Sequence, residues 1–315
     1  DAVGKLVIHA LMESPGMVGA YRFANTRDGL KLTQEVEAAV FFRRAFDQIG
    51  FAPLTSMFWY GEDRSGARLD WRPEIHDSDG LAIWTGRGER LWRPLTNPHR
   101  VVTSTFSDDG PKGFGLIQRD RDFAHYQDDQ AHTERRPSVW VEPLHDWGRG
   151  TVRLVEIPTE DETDDNIVAF WTPEAPVRAG ASVDLRYRLH WTDDTPDGDL
   201  ARVVATRTGR PGEPGKQVAA EGRKINVEFR GANLAPLRTA TDVEADIVAA
   251  NGELRYLAHY PADRRDDQPG AEALWRVTFD VVPSGDQPVD VRVVLRQKGQ
   301  ALTEVWTGLI FPERQ

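Results

Sequence analysis

The sequence predicts an all-β protein: a sandwich or barrel in its first half and an immunoglobulin-like sandwich in its second. Three observations carry this. Turn signals recur at short intervals through the first half, at Gly61–Gly66, Asp77–Gly80, Gly86–Gly88, Asn97-Pro98, Asp108–Gly113 and Gly148–Gly150, a spacing too tight for long helices. The second half alternates apolar and polar residues strand after strand. Only one segment, Arg43–Ile49 before Gly50, has helical spacing with a plausible left-handed cap.

In chain order, Lys5–Ala10 and Gly19–Phe23 read as strands joined by a turn at Ser14-Pro15-Gly16. Glu35–Phe42 and the β-branched, aromatic run Leu54–Tyr60 read as further strands. Leu81–Trp84, Arg90–Trp92, Arg100–Phe106, Gly115–Gln118 and Ser138–Val141 follow between the turns, then Val152–Ile157 and Ile167–Trp171. Thr172–Gly180 holds two prolines and is the expected linker, dividing a domain over 1–174 from one over 175–315. Beyond it Ser182–Trp191, Lys224–Arg230, Val243–Ala249, Leu254–Tyr260, Leu274–Val282 and Val289–Arg296 alternate as a sandwich without its disulfide. Thr208–Gly222, rich in Gly and Pro, reads as a long mobile loop.

Composition narrows the function. At 315 residues each half can bury a core. With no cysteine there is no disulfide, thiolate metal site or cysteine nucleophile. A net charge of −11 disfavours nucleic acid and anionic membrane as partners. No apolar run approaches a membrane span, and no signal peptide opens the chain, which reads as a processed or truncated start. The 10 tryptophans suit a core and a sugar-binding cleft equally. The 8 histidines show no HExxH spacing, and no metal or cofactor is expected. The oxygens of Asp161–Asp165 could ligate calcium, but the loop lacks the EF-hand pattern.

Two acidic segments stand out. Glu160, Asp161, Glu162, Asp164 and Asp165 crowd one loop between strand-like runs. On an open surface this is a solvated hairpin tip; near buried rings the mutual repulsion would keep a proton on one of them. His76-Asp77-Ser78-Asp79-Gly80 reads either as an Asx-type turn or as the source of a second carboxylate, Asp77. Glycoside hydrolysis needs two carboxylates, one protonated and one ionised. Trp92, Arg93 and Asn97 could stack on and hydrogen-bond a sugar, or form a packed β-turn, while Arg135-Arg136 could clamp a substrate or be a surface pair.

These segments, with Ala52–Phe58, Gly113–Arg119, Arg121–Phe123, Arg136–Trp140, Trp147–Gly150 and Glu156–Pro173, together resemble the periplasmic glucan biosynthesis proteins G and D of Gram-negative bacteria. The resemblance implies a galactose-mutarotase-type sandwich followed by an immunoglobulin-like domain, and a periplasmic location. It implies inverting endo-β-1,2-glucanase or transglycosylase activity on osmoregulated periplasmic β-glucans. Carried over by position, Asp165 matches the general acid and Asp77 the base, which acts through a long relay. Glu162 matches a further acidic site residue and Arg136 a substrate-contacting arginine. Asp161, Thr133, Trp92, Arg93, Trp140 and Trp171 complete the expected substrate contacts, the tryptophans as stacking platforms. Thr133 departs from the family's usual tyrosine, and an N-terminal part of the sandwich is missing relative to the family. The alternative reading is a non-catalytic glucan-binding or assembly factor whose immunoglobulin-like domain docks a membrane-bound glucan synthase.

Overall fold

The computed structural model describes residues 4–63, 70–193, 195–196, 198–213, 215, 222–262 and 272–312. Strands run β1 Gly4–Glu13, β2 Met17–Asp28, β3 Lys31–Phe42, β4 Phe51–Ser56, β5 Phe58–Tyr60, β6 Ile75–His76, β7 Gly80–Trp84, β8 Arg90–Pro94, β9 Val102–Asp109 and β10 Gly113–Ile117. After a one-turn helix α1, Phe123–Tyr126, and a 3₁₀ turn, Thr133–Arg135, come β11 Ser138–Pro143, β12 Arg149–Glu156, β13 Ile167–Pro173 and β14 Ser182–Thr192. The remainder is β15 Arg202–Gly209, β16 Arg223–Gly231, a 3₁₀ segment Ala232–Leu237, β17 Val243–Ala250, β18 Gly252–Pro261, β19 Ala273–Pro283, β20 Val289–Gln297, β21 Gln300–Ala301 and β22 Val305–Ile310. The all-β expectation therefore stands, in a sandwich-like arrangement of several sheets.

Two compact units divide the chain. The first comprises Asp1–Trp59, Ile75–Arg90 and Leu95–Thr195; the second comprises Tyr60–Glu74, Leu91–Pro94 and Pro196–Gln315. This is not the single cut expected at 174/175. β14 lies in the first unit because all but its last residue pairs with β3, from Ser182↔Phe41 to Trp191↔Leu32, and its other edge pairs with β11.

In the first unit one sheet runs β1-β2-β3-β14-β11-β10-β7 and a second runs β4-β13-β12-β9. Alternation decides which face is buried: β12 exposes Thr151, Arg153 and Val155 in part and buries Val152, Leu154 and Glu156. Tight packing at two glycines fixes two tryptophans. A methyl group on Gly113 would lie 2.4 Å from the Trp140 ring, and one on Gly150 would lie 2.5 Å from the Trp171 ring, so only glycine leaves room for each indole.

The expected helix over 43–49 does not form. Phe46 exchanges both backbone hydrogen bonds with Val177, at 2.9 Å each, as an isolated bridge. A seven-residue segment is too short to nucleate a helix on its own against that bridge. The run Leu54–Tyr60 is likewise interrupted at Met57, because the Phe58 N–H donates to Asn166 Oδ1 (2.8 Å) instead of a ladder carbonyl.

In the second unit β15-β16-β19-β18 form one sheet, and β8, β22, β20 and β17 line up in another with β21 on the edge of β20. The Phe279 ring meets the Trp306 ring edge-on at 6.2 Å, and Trp306 Nε1 donates to Thr206 Oγ1 at 2.9 Å, which joins the two sheets through one buried core. β15 has no counterpart in the strands expected from sequence. Of the expected loop 208–222, residues 214 and 216–221 lie outside the described residues, and Thr208 and Gly209 belong to β15.

Candidate active site

The acidic loop, residues 157–166, joins β12 to β13 at the end marked by the pair Glu156↔Ile167. Two asparagines pin it. Asn166 donates through Nδ2 to the carbonyls of Phe58 and Ile157, each at 2.9 Å. Asn97 donates to the carbonyls of Trp59 (3.1 Å) and Thr159 (2.7 Å), and its Oδ1 accepts from Thr159 N–H (3.0 Å). The sugar-bonding role considered for Asn97 gives way to this anchoring. Glu156, fully buried, accepts from the N–H and hydroxyl of Thr96 at 2.7 and 2.9 Å. Within the loop, Thr159 donates to Asp164 Oδ2 (2.7 Å), and Asp161 accepts the Thr163 N–H (2.8 Å), which holds Asp161 below the usual carboxylate range. Asp165 stays exposed and Glu162 half-buried.

The second acidic segment lies on a buried polar floor. Asp77 N–H donates to Met57 O at 2.9 Å, so the loop leaving β6 is tied to the chain next to β5. His76 is 1% exposed, stacked on Phe58 at 5.3 Å, with its Nδ1 3.1 Å from Gln118 Oε1. The Gln118 amide donates to Tyr126 Oη (2.9 Å) and to Thr133 O (3.2 Å). Because Gln118 Oε1 can only accept, it selects the His76 tautomer protonated at Nδ1. Asp79 sits beyond it, 3.6 Å from His76 Nε2, and accepts the backbone N–H groups of Arg119 and Asp120. Burial pushes the Asp79 carboxyl upward against these donors.

Asp77 is the group on which the site converges. Burial raises its carboxyl above the usual range; Arg136, with Nε 3.2 Å from Oδ1, and His76 pull it down; Asp165 and Glu162 push it up again. Three carboxylates from loops far apart in sequence thus lie within electrostatic reach of one another, beside one guanidinium. Arg136 follows the 3₁₀ turn, and Thr133 within that turn is 4% exposed.

The aromatic platforms expected from sequence are core residues instead. Trp140 is 2% exposed and Trp171 1%, the latter 6.3 Å from Trp147. In the second unit Trp92 and Arg93 are each 3% exposed. Rings packed to this degree offer no face for a sugar to stack on, so Trp92, Trp140 and Trp171 are corrected from substrate contacts to structure, and Arg93 is buried too deeply to reach a sugar from the surface. Among the described residues the exposed indole is Trp71, at 72%. Sequence reasoning missed Gln118, Tyr126 and Asn166; nothing in a lone Gln or Asn marks a buried junction, since its value comes from carbonyls elsewhere in the chain.

The model of the family described as periplasmic glucan biosynthesis protein, MdoG, matches residues 2–309. This chain belongs to that family. It is similar to glucans biosynthesis protein D 2 of Ralstonia nicotianae, with 50% identity over 98% of this chain and 56% of the relative. Glucans biosynthesis protein D of Stenotrophomonas maltophilia K279a is 44% identical over 96% of this chain and 55% of that protein. The chain therefore spans about half the length of the curated relatives it matches. No helix among the described residues is long and apolar enough to cross a membrane.

Proposed function

We propose that the chain carries the catalytic centre of an inverting endo-acting glycoside hydrolase, or a related transglycosylase, that works on β-1,2-glucan in the periplasm. Asp165 protonates the departing glycosidic oxygen, and Asp77 takes the proton of the attacking water or acceptor hydroxyl. What carries this reading is the convergence of electrostatic influences on Asp77, where Asp165 and Glu162 raise its proton affinity while Arg136 keeps an ionised form accessible. Burial and like charge make Asp77 a stronger base than a solvated aspartate. Asp165 is exposed near the end of the acidic loop, two residues before β13, where a bound glucan chain could reach it.

Incubation with linear β-1,2-glucan tests this. The parent protein should release reducing ends, and Asp165→Asn and Asp77→Asn should not. Turnover unchanged in either variant would overturn the assignment; a cyclic product would select transglycosylation. The second reading is a glucan-binding or assembly factor that presents glucan to a membrane-bound synthase. It draws on Thr133, which is buried and places no aromatic hydroxyl beside Arg136. A binder would retard glucan migration while leaving its chain length unchanged.

A further inference from the structure

Arg121 lies in the loop between β10 and α1 and donates hydrogen bonds in several directions. Its Nη1 reaches the carbonyls of Glu134 and Arg136, both at 3.1 Å; its Nε reaches Asp193 O at 3.1 Å, and its Nη2 reaches Ser138 Oγ at 3.4 Å. Glu134 lies within the 3₁₀ turn, and Arg136 and Ser138 follow it. The turn's other anchor is Gln118, on Thr133 O. Arg136 itself is 47% exposed at its side chain and faces Asp77. An exposed arginine gains little from one partly solvated carboxylate and loses rotamer freedom in holding it, so the contact depends on where the backbone starts the side chain.

We propose that Arg121 is a positioning residue: its planar guanidinium fixes the carbonyls of Glu134 and Arg136 so that the Arg136 side chain is delivered to Asp77. Only a rigid fork of donors can serve four acceptors on two chain segments, 134–138 and Asp193, at once; a lysine ammonium would satisfy one or two of them. Arg121 makes no contact with the acids and acts through Arg136. The proposal rests on the reading of Asp77 as the base, and it deepens that reading by naming what sets the base's charge environment.

The groups that set Asp77's titration are Arg136, His76, Asp165 and Glu162. The decisive experiment follows the Asp77 carboxyl by ¹³C NMR against pH in the parent and in Arg121→Met, Arg136→Met and the double variant. With Arg136 released, the Asp77 midpoint should rise by about half to one pH unit, a discounted share of what a close guanidinium does to an aspartate. Arg121→Met should move it in the same direction, and the double variant should move it no further than Arg136→Met alone. The low-pH limb of the glucanase pH profile should shift with it, and Arg121→Lys should fall between parent and Arg121→Met. An unmoved Asp77 midpoint in folded Arg121→Met, or full additivity in the double variant, would overturn the proposal. Should Arg121→Met fail to fold, Arg121→Lys decides by the same comparison. If the parent releases no reducing ends the enzymatic reading falls, while the NMR titration still decides whether Arg121 positions Arg136.

Discussion

Two carboxylates show how differently this molecule treats buried negative charge. Glu228, 2% exposed on β16, is met by two guanidiniums: Arg276 Nη2 at 2.5 Å and Arg207 Nη1 at 3.2 Å. Burial would push its carboxyl up, but the two arginines outweigh it and hold the group below the usual glutamate range. Asp77 in the first unit has one guanidinium, at an exposed rim, and two further acids that oppose it, so burial wins and the carboxyl goes up. The charge at Glu228 is matched, which makes it part of the scaffold. At Asp77 it is left under-compensated, as the role proposed for it as a base would require.

The contrast is broken most directly through turnover. Asp77→Asn should lower the rate of reducing-end release by roughly 10²–10⁴-fold, the usual worth of a general base. Glu228→Gln should leave turnover per folded molecule unchanged. Equal losses in both variants would erase the distinction. The buried tryptophans give the next largest effect. Trp171→Ala should destabilise the protein by about 3–5 kcal/mol in urea unfolding, the cost of a large core cavity; a loss confined to glucan affinity with full stability would restore Trp171 as a platform. Glu228→Gln should cost about 1–3 kcal/mol at neutral pH, because Arg276 and Arg207 lose an ionised partner while themselves remaining partly exposed.

Acid sharpens the comparison, since the two groups have opposite signs. Glu228 is lowered, so its stabilisation is present above the usual glutamate value of 4.5 and is lost as pH falls through the folded value. The stability gap between parent and Glu228→Gln should therefore narrow below about pH 4.5. Asp77 is raised above the usual 3.8, so its ionised form disfavours the native state and the penalty is relieved as pH falls through the raised value. Asp77→Asn should accordingly be as stable as the parent at neutral pH to within about 1 kcal/mol, and unfolding midpoints measured across pH check both signs. A large neutral-pH destabilisation by Asp77→Asn would show that Asp77, too, is scaffold.

The chain's period-two alternation was enough to place most strands, because a strand with one buried face must show it in sequence. β12 and β13 illustrate this. The failures share a cause. Arg43–Ile49 has helical spacing, but Val177, far along the chain, claimed the Phe46 backbone. Trp92, Trp140 and Trp171 read as cleft or core with equal ease, since an indole's composition does not say which side of it is filled. Asn97 read equally as a sugar contact or as part of a packed turn, and its amide is committed to the acidic loop.

By itself the sequence determined the all-β class, the family, and the two acidic segments from which a site could be drawn. Whether those segments meet was left to the tertiary structure, as were the anchoring of the acidic loop by Asn97 and Asn166 and the delivery of Arg136 by Arg121. The physical reason is range. Strand patterns are written in neighbouring residues, whereas the proton affinity of Asp77 depends on burial and on charges that arrive from Arg136, Glu162 and Asp165 only after the sheets have packed.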